Sequence, residues 1–383
     1  MAWAGTGVVW ALNSGVISGH PLEHMMHGGA DKNDFTFVQI SDSHIGFNKE
    51  ANNNVIATLQ ETIDKIKAQP RSPDFLLHTG DLTHFSKPEE FDTLDQMLRG
   101  VGGEVFRVPG EHDVLNDNGA QFMQRYGKKT SGTGWHSFDH HGVHFIGLVN
   151  VVNMKAGGLG SLGDEQLAWL EKDVAHLGSS TPIVLFAHIP LWSVYPEWGW
   201  GTDDSERALG MLKKFGSVTV LNGHIHQIVQ KVEGHVTFHT AMSTAFPQPA
   251  PGTAPSPGPM KVEAAKLRTL LGLTTVSFET TARRLAIADA PLLTGSASAA
   301  AGGHDVRIDN FSFAPVELKV EKGTKVTWIN HDDIPHNIVS TDKKFASPVM
   351  DTDDKFTFEF ATPGSYKYYC SIHPRMTGVV QVE

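Results

Sequence analysis

Short apolar runs that break off into oxygen- and nitrogen-bearing side chains recur from Phe35 onwards. Phe37-Val38-Gln39-Ile40 runs straight into Ser41-Asp42-Ser43-His44. Side chains along a strand repeat every second residue, so such a run delivers Asp42 and His44 to one edge of a sheet. Endings of the same kind follow at Gly80-Asp81, Gly110-Glu111-His112-Asp113, Ala187-His188 and Gly223-His224-Ile225-His226. The runs before them (Phe75–Leu77, Val105–Val108, Ile183–Phe186, Val218–Leu221) read as strands. Patterns of helical period lie between: Val55, Ile56, Leu59, Ile63 and Ile66; Phe91, Leu94 and Leu98; Leu167, Leu170, Val174 and Leu177. Ser161 with Asp164 predicts a capping box at the start of the third helix. His136 to Val149 predicts a hairpin through His141-Gly142, and two further short strands are expected at Ile228–Val232 and Val236–Thr240.

Phe246 to Pro259 is dense in Pro and Gly and predicts a long surface loop. It is not a domain boundary, because Lys261 to Ile287 still supplies a helix and two strands. The boundary falls in the Gly-, Ala- and Ser-rich stretch from Leu293 to His304. After it the texture changes to short alternating strands with turns at Glu321-Lys322-Gly323 and Thr362-Pro363-Gly364, an all-β pattern. The expected division is a leader and flexible tail over 1–34, an α/β domain over 35–290, a linker over 291–304 and an all-β domain over 305–383.

Ala2 to Gly19 is apolar or small and carries no charge. It is short for a membrane span and suits the apolar region of an export signal, with a buried helix as the alternative. With no basic residues before it, either the true start lies upstream, which is the expectation, or the stretch is not a signal. The expectation is a periplasmic or otherwise exported protein with no integral span in its mature form. The cluster His20, His24, Met25, Met26 and His27 reads either as a copper binder or as a tail behind the signal.

The formal charge of −11 over 383 residues excludes a general nucleic-acid-binding surface. An anionic substrate must therefore be drawn by bound cations. One cysteine, Cys370, rules out an intrachain disulfide, while 21 histidines are unusually many.

Carboxylates and neutral imidazoles are what hard and borderline divalent metals bind. A two-metal hydrolytic site also needs a bridging ligand and an open face. The five ordered endings supply that set, and together they resemble the calcineurin-like metallophosphoesterases. That family's pattern is Asp-x-His, Gly-Asp, Gly-Asn-His-Asp/Glu, a lone His, and Gly-His-x-His. Thr79-Gly80-Asp81-Leu82-Thr83 looks most like its cyclic-nucleotide phosphodiesterase branch. The resemblance implies a four-layer α/β sandwich and two divalent or trivalent ions (Fe, Mn or Zn). Asp42, His44 and His226 would hold one ion, His188 and His224 the other, with Asp81 bridging. A metal-bound hydroxide would attack the phosphoester while His112, oriented by Asp113, serves as the acid or phosphate-binding histidine.

This chain has Glu111 where the family has Asn. A carboxylate there can ligate the second metal, yet it adds negative charge and cannot donate a hydrogen bond. Substrate scope, rate and metal preference are left open by it. The loop with Trp192, Tyr195, Trp198 and Trp200 either stacks a nucleobase or packs onto its own domain. His78, His84, His140, His141 and His239 read as structural or surface residues.

Near the C-terminus an aromatic strand, Tyr366 to Tyr369, ends in Cys370-Ser-Ile-His373-Pro-Arg-Met376, and Ile334-Pro335-His336-Asn337 lies upstream. One thiolate, two imidazoles and a thioether form the type 1 copper set of a trigonal plane with a long axial Met. In this all-β context copper fits better than zinc. Residues 311–383 resemble the cupredoxins, a Greek-key β-sandwich, and the short Cys-x-x-His-x-x-Met loop looks most like the amicyanin type. The resemblance implies one copper ion on His336, Cys370, His373 and Met376. It also implies a redox partner or copper donor, met through an apolar rim that includes Pro374 and Met376. Asn337 is expected to clamp the ligand loop.

The sequence thus points to a dinuclear phosphoesterase, a phosphodiesterase by the subfamily cue, acting on a small phosphoester and carrying a copper domain. The rival reading is a copper electron-transfer or copper-sensing protein whose first domain is disabled by Glu111.

Overall fold

Strand and helix alternate from Phe35 because successive side chains of each strand serve two different cores. In the first strand Phe35 and Phe37 face one way, while Val38 and Ile40 face the other. The structure is a computed structural model that describes residues 8–13, 16–21, 33–280, 284–293, 305–309, 312–332, 334–373 and 376–383. It falls into two compact units, Met1–Thr294 and Gly295–Glu383.

In the first unit β1 (Val8–Asn13) and β2 (Val16–Pro21) pair as an antiparallel hairpin. Most of the apolar leader is thus a two-stranded element, while residues 22–32, with most of the His/Met cluster, lie outside the described residues. One sheet runs β13-β12-β3-β4-β5, built from β3 (Phe35–Ile40), β4 (Phe75–His78), β5 (Glu104–Arg107), β12 (Gly272–Glu279) and β13 (Arg284–Pro291). The other runs β10-β11-β9-β8-β7-β6. Its strands are β6 (His136–His140), β7 (Val143–Gly147), β8 (Ile183–Ala187), β9 (Val218–Asn222), β10 (Gln230–Glu233) and β11 (Val236–Thr240).

The sheets meet over an aromatic core of Phe35, Phe37, Phe75, Phe145 and Phe186, with Phe37 and Phe75 stacked at 5.1 Å. On the outer face of the first sheet lie α1 (Val55–Lys67) and α2 (Pro88–Leu98), which bury Leu59, Ile63, Phe91 and Leu94 against Val38, Ile40 and Leu76. A short helix α3 (Ala120–Tyr126) follows. On the other sheet α4 (Asp164–Ala175) and α5 (Ser205–Met211) bury Leu167, Leu170 and Ala208 against Leu185 and Val218. This is the expected helix–sheet–sheet–helix sandwich. α6 (Ala264–Leu270) leads into β12, so the stretch after the Pro-rich loop completes this unit.

The capping box at Ser161 does not form. Gly163 occupies the N-cap position without a side-chain bond, and the Asp204 carboxylate accepts from Leu162 N (2.9 Å) and Gly163 N (2.9 Å). A carboxylate from another loop satisfies the approach to the helix, so Ser161 bonds to Asp204 as well.

The β3, β4 and β5 strands are mutually parallel, as are β7, β8 and β9. Parallel strands send their C-terminal loops to the same edge, which is where ligands gather in open α/β sheets.

The second unit is two four-stranded sheets, β15-β14-β17-β19 and β16-β21-β20-β18. They comprise β14 (Asp305–Asp309), β15 (Ser312–Ala314), β16 (Glu317–Val320), β17 (Thr324–Asn330), β18 (Val339–Ser340), β19 (Lys355–Phe360), β20 (Gly364–Tyr369) and β21 (Thr377–Val382). Trp328, Phe360, Tyr368 and Val380 fill the space between them. Among the described residues no helix is long and apolar enough to cross a membrane.

Candidate metal centres

At the C-terminal edge of the first unit the backbone turns sharply after each strand. Asp42, His44, Asp81, His224 and His226 all have positive φ, between 41° and 70°. A residue with a Cβ pays about 1–3 kcal/mol for such a conformation and keeps it only where surrounding bonds enforce it. Asp42 N donates to Gly80 O (3.0 Å) and His44 N to Asp81 O (2.9 Å), so the first two loops hold each other in place.

These turns bring all seven sequence-predicted ligands together. His44 Nε2 and His226 Nε2 lie 3.3 Å apart, with Asp42 Oδ1 3.2 Å from His226 Nε2. His188 Nε2 and His224 Nδ1 are likewise 3.3 Å apart, and the Glu111 carboxylate reaches them at 2.8 and 3.0 Å. Asp81 Oδ2 stands between the two groups, 3.4 Å from His44 Nε2 and 3.5 Å from His188 Nε2.

The opposite ring nitrogens are occupied. His188 Nδ1 donates to Thr79 O (2.8 Å) and His226 Nδ1 to Phe246 O (2.5 Å), which leaves each Nε2 as a lone pair aimed inwards. Asp42, His44, Asp81, His188 and His226 are buried, while the Glu111 and His224 side chains are 23% and 13% exposed, so the cluster opens on their side.

Three carboxylates and four inward-facing imidazoles in a buried space call for positive charge. The fields show the same need: burial works against protonation of His188, yet Asp81 and Glu111 raise its pKa well above the ordinary value. Donor atoms about 3 Å apart are spaced for cations with bonds of about 2.1 Å. The site therefore fits divalent metal ions.

His112 sits beside this cluster, its ring 4.6 Å from that of His44. The expectation that Asp113 orients it is corrected. The Asp113 carboxylate accepts from Gly110 N (2.9 Å), Leu82 N (3.0 Å), Thr83 N (2.8 Å) and Thr83 Oγ1 (2.8 Å), so it ties two loops together. His112 Nδ1 instead donates to the His84 carbonyl (2.8 Å), and the His84 ring stacks on the His112 ring at 4.8 Å. Burial opposes protonation of His112, but Asp81, Glu111 and that carbonyl raise its pKa.

Sequence reasoning passed over His84, although its place three residues after Asp81 put it in a ligand loop. It also missed Phe246, whose carbonyl fixes His226 and whose ring packs on His44 at 4.7 Å. The start of the Pro-rich loop is accordingly buried rather than on the surface. Trp192 and Trp200 of the aromatic loop are buried as well, which realises the packing alternative for those two. A cavity of about 660 Å³ beside Phe106, Arg107, Tyr126 and Phe138 contains none of the cluster residues.

In the second unit β20 carries Cys370 to a loop facing His336. Cys370 Sγ is 3.7 Å from His336 Nδ1 and 3.8 Å from His373 Nδ1, and the two imidazole nitrogens are 3.2 Å apart. Met376 is buried, and its backbone bonds to Cys370 N (3.1 Å) and His373 O (2.9 Å), closing the loop. Asn337 Oδ1 accepts from Ser371 N (2.8 Å), the expected clamp. The sequence reading missed Asp332, whose carboxylate lies 2.6 Å from His336 Nε2 on the side away from the thiol. A buried thiol with two imidazoles in a triangle fits copper. Pro374 lies outside the described residues.

An α/β sandwich with ligands at its strand ends and a β-sandwich with a His–Cys–His triangle define two classes of metalloprotein. The chain belongs to the calcineurin-like phosphoesterases over residues 35–228 and to the plastocyanin/azurin family of copper binding proteins over 300–383. It is 26% identical over 216 residues to a probable cyclic nucleotide phosphodiesterase of Vesicomyosocius okutanii, covering 55% of this chain and 87% of that protein. It is 33% identical over 90 residues to amicyanin-alpha of Methylorubrum extorquens, covering 22% of this chain and 76% of that protein. Among solved structures, a purple cupredoxin from Nitrosopumilus maritimus matches with 39% identity over 21% of this chain and 98% of that one, at a TM-score of 0.20.

Proposed function

We propose that this is an exported phosphodiesterase with a dinuclear centre and a type 1 copper domain, the two joined through a linker over 291–304. The observation that carries it is the convergence of Asp42, His44, Asp81, Glu111, His188, His224 and His226, with their donor atoms about 3 Å apart.

Asp42, His44 and His226 would hold the first cation and Glu111, His188 and His224 the second, with the Asp81 carboxylate lying between the two groups. When bound, two such ions (Fe, Mn or Zn) supply Lewis acidity towards the phosphoryl oxygens and make water a competent nucleophile near neutral pH. The protein's own part is positional and electrostatic. Buried hydrogen bonds to Thr79 and Phe246 fix the imidazoles, and Asp113 holds the Gly110–Asp113 turn against Leu82 and Thr83. His112, with Nδ1 committed to the His84 carbonyl, presents Nε2 to the substrate and, when protonated, gives that proton to the leaving oxygen. Glu111 contacts both second-group histidines, so the carboxylate that replaces the family's Asn stays within the candidate ligand set.

A diester is favoured over a monoester by the Gly80-Asp81-Leu82-Thr83 phrase and by the name of the phosphodiesterase relative. Export is favoured by the apolar stretch Ala2 to Gly19 and by the pairing of a copper site with hydrolase ligands on one chain. In the copper unit Asp332 orients His336, and the expected partner is a redox protein or copper donor.

The test is turnover of bis(p-nitrophenyl) phosphate by metal-loaded protein together with metal analysis. Wild-type protein is expected to hydrolyse the diester and to carry two ions in the first unit. Asp81→Ala is expected to lose both ions' full occupancy and at least about 100-fold in rate, since a group that touches both ions is removed. Wild-type protein that turns over no diester with any of Fe, Mn or Zn would overturn the reading.

A further inference from the structure

The outward nitrogens of the cluster's imidazoles are not all satisfied in the same way. His188 Nδ1 and His226 Nδ1 donate to main-chain carbonyls. His44 differs. Its Nε2 faces His226 Nε2 (3.3 Å) and Asp81 Oδ2 (3.4 Å), and its Nδ1 meets another imidazole, His84 Nδ1, at 3.3 Å. A ring nitrogen that serves an ion offers a lone pair, so the His44 proton sits on Nδ1 and is donated to His84. His84 Nδ1 then accepts, which puts the proton of that ring on its own Nε2.

The acceptor is fixed at its backbone and at its ring. His84 is buried, and its N–H donates to Ile45 O (2.9 Å), the residue after His44. Its ring meets Phe47 edge-on at 5.1 Å, Phe85 at 4.4 Å and His112 in a stack at 4.8 Å. One nitrogen from each of His44, His84 and His112 lies within 4.8 Å of the others, close enough to suggest an ion among them. The ring planes decide against that use. Metal sites need lone pairs that converge on one point from different directions. The lone pairs of His84 and His112 lie in stacked planes only 16° from parallel, so they do not converge.

We infer that His84 is a positioning residue for the first cation alone: its ring nitrogen accepts the His44 Nδ1 proton and thereby holds the His44 Nε2 lone pair towards the ion. A partner on the far nitrogen fixes the tautomer and ring orientation of a metal-binding histidine and raises its basicity. An imidazole nitrogen is a stronger base than the carbonyls behind His188 and His226, so it strengthens His44 as a ligand more than they strengthen theirs. The two cation sites are thereby made unequal. The His84 ring bonds to a ligand of the first and, among the described residues, to none of the second. The inference rests on the metal-centre reading given above and assigns the residue that sets the affinity of one of its two ions.

The test titrates the full-length, metal-free chain with Zn²⁺ against a competing chelator. Isotope-labelled histidine separates the ions in NMR spectra, because His44 and His226 report the first and His188 and His224 the second. Loss of such a hydrogen-bond partner costs roughly 10–100-fold in metal affinity. His84→Phe keeps a ring and removes the acceptor; it is expected to weaken the first zinc by that factor and to leave the second within about two-fold. His84→Asn, whose side-chain oxygen can take the place of Nδ1, is expected to restore most of the lost affinity. In zinc-loaded wild-type protein the ring-nitrogen shifts are expected to show protons on His44 Nδ1 and His84 Nε2, a readout that needs no variant to fold. Unchanged affinities in His84→Phe, equal weakening of both ions, a proton on His44 Nε2 or a third zinc bound in the first unit would overturn the assignment. Wild-type protein that binds zinc here but turns over no diester overturns the phosphodiesterase reading and leaves the role of His84 standing, whereas wild-type protein that binds no zinc at these residues overturns both.

Discussion

At the scale of single residues the seven-residue cluster depends on backbone as much as on its candidate ligands. Gly110 shows why. A Cβ built there would lie 2.1 Å from Asp81 Oδ1 and 2.3 Å from Asp81 N, although its φ of −95° suits any residue. The requirement at this position is close approach, not conformational freedom. Gly110→Ala is therefore expected to push the Asp81 carboxylate out of its place between the two groups. Metal analysis should find less than the wild-type content, while denaturant unfolding should show a loss of only about 1–3 kcal/mol, the usual cost of an overpacked site. A variant that retains both full metal content and wild-type stability would count against Asp81 as the shared ligand. The residues of the cluster were legible because each ends an apolar run. The groups that aim His188, His112 and His226 were not, because they are main-chain carbonyls, of Thr79, His84 and Phe246, and every residue type carries one. Asp113 was misread for the same reason: a carboxylate beside a histidine in sequence looks like its partner, and only the fold shows four donors from Gly110, Leu82 and Thr83 around it.

At the scale of elements, periodicity located the strands and helices well, since one buried face per element is enough to show period 2 or 3.6. It failed where polar groups from distant segments met. Ser161 was read as a cap, yet Asp204 from a loop more than forty residues away does that work. His144 is a second long-range case. It lies on β7 and joins Asp139 of β6 at 2.7 Å to Asp173 of α4 at 2.9 Å. Burial would lower its pKa, but the hydrogen bonds from both ring nitrogens to these carboxylates raise it above the ordinary 6.5. A histidine whose folded pKa is raised contributes stability that is fully present below its unfolded pKa and is lost as pH rises through the folded one. His144→Gln is therefore expected to cost about 1–2 kcal/mol at pH 5.5 and clearly less at pH 9. The lower figure allows for solvent screening at Asp139, whose side chain is 75% exposed. Urea unfolding of both proteins at the two pH values checks this, and a difference that grows with pH would contradict the paired imidazolium.

At the scale of the whole molecule, each unit carries its own cluster of candidate metal ligands and its own core. The residues that bury Cys370 and Met376 are Trp328, Phe345, Tyr368 and their neighbours, all between Val306 and Val382. Those behind the seven-residue cluster of the first unit, such as Val38, Leu76, Leu185 and Val220, all precede Pro291. Changes that share no packing or hydrogen-bond partner add independently. Cys370→Ser is therefore expected to abolish the copper–thiolate absorption and leave diester turnover within about two-fold of wild type, a change too small to mark energetic coupling. Asp81→Ala should do the reverse, removing turnover and leaving the copper spectrum intact. The same assay decides whether the copper state governs hydrolysis. If turnover differs several-fold between the Cu(I) and Cu(II) forms, and Cys370→Ser removes that difference, the fusion is a redox-gated enzyme. If the rates are equal, the chain joins two activities whose shared feature is the compartment that supplies their metals.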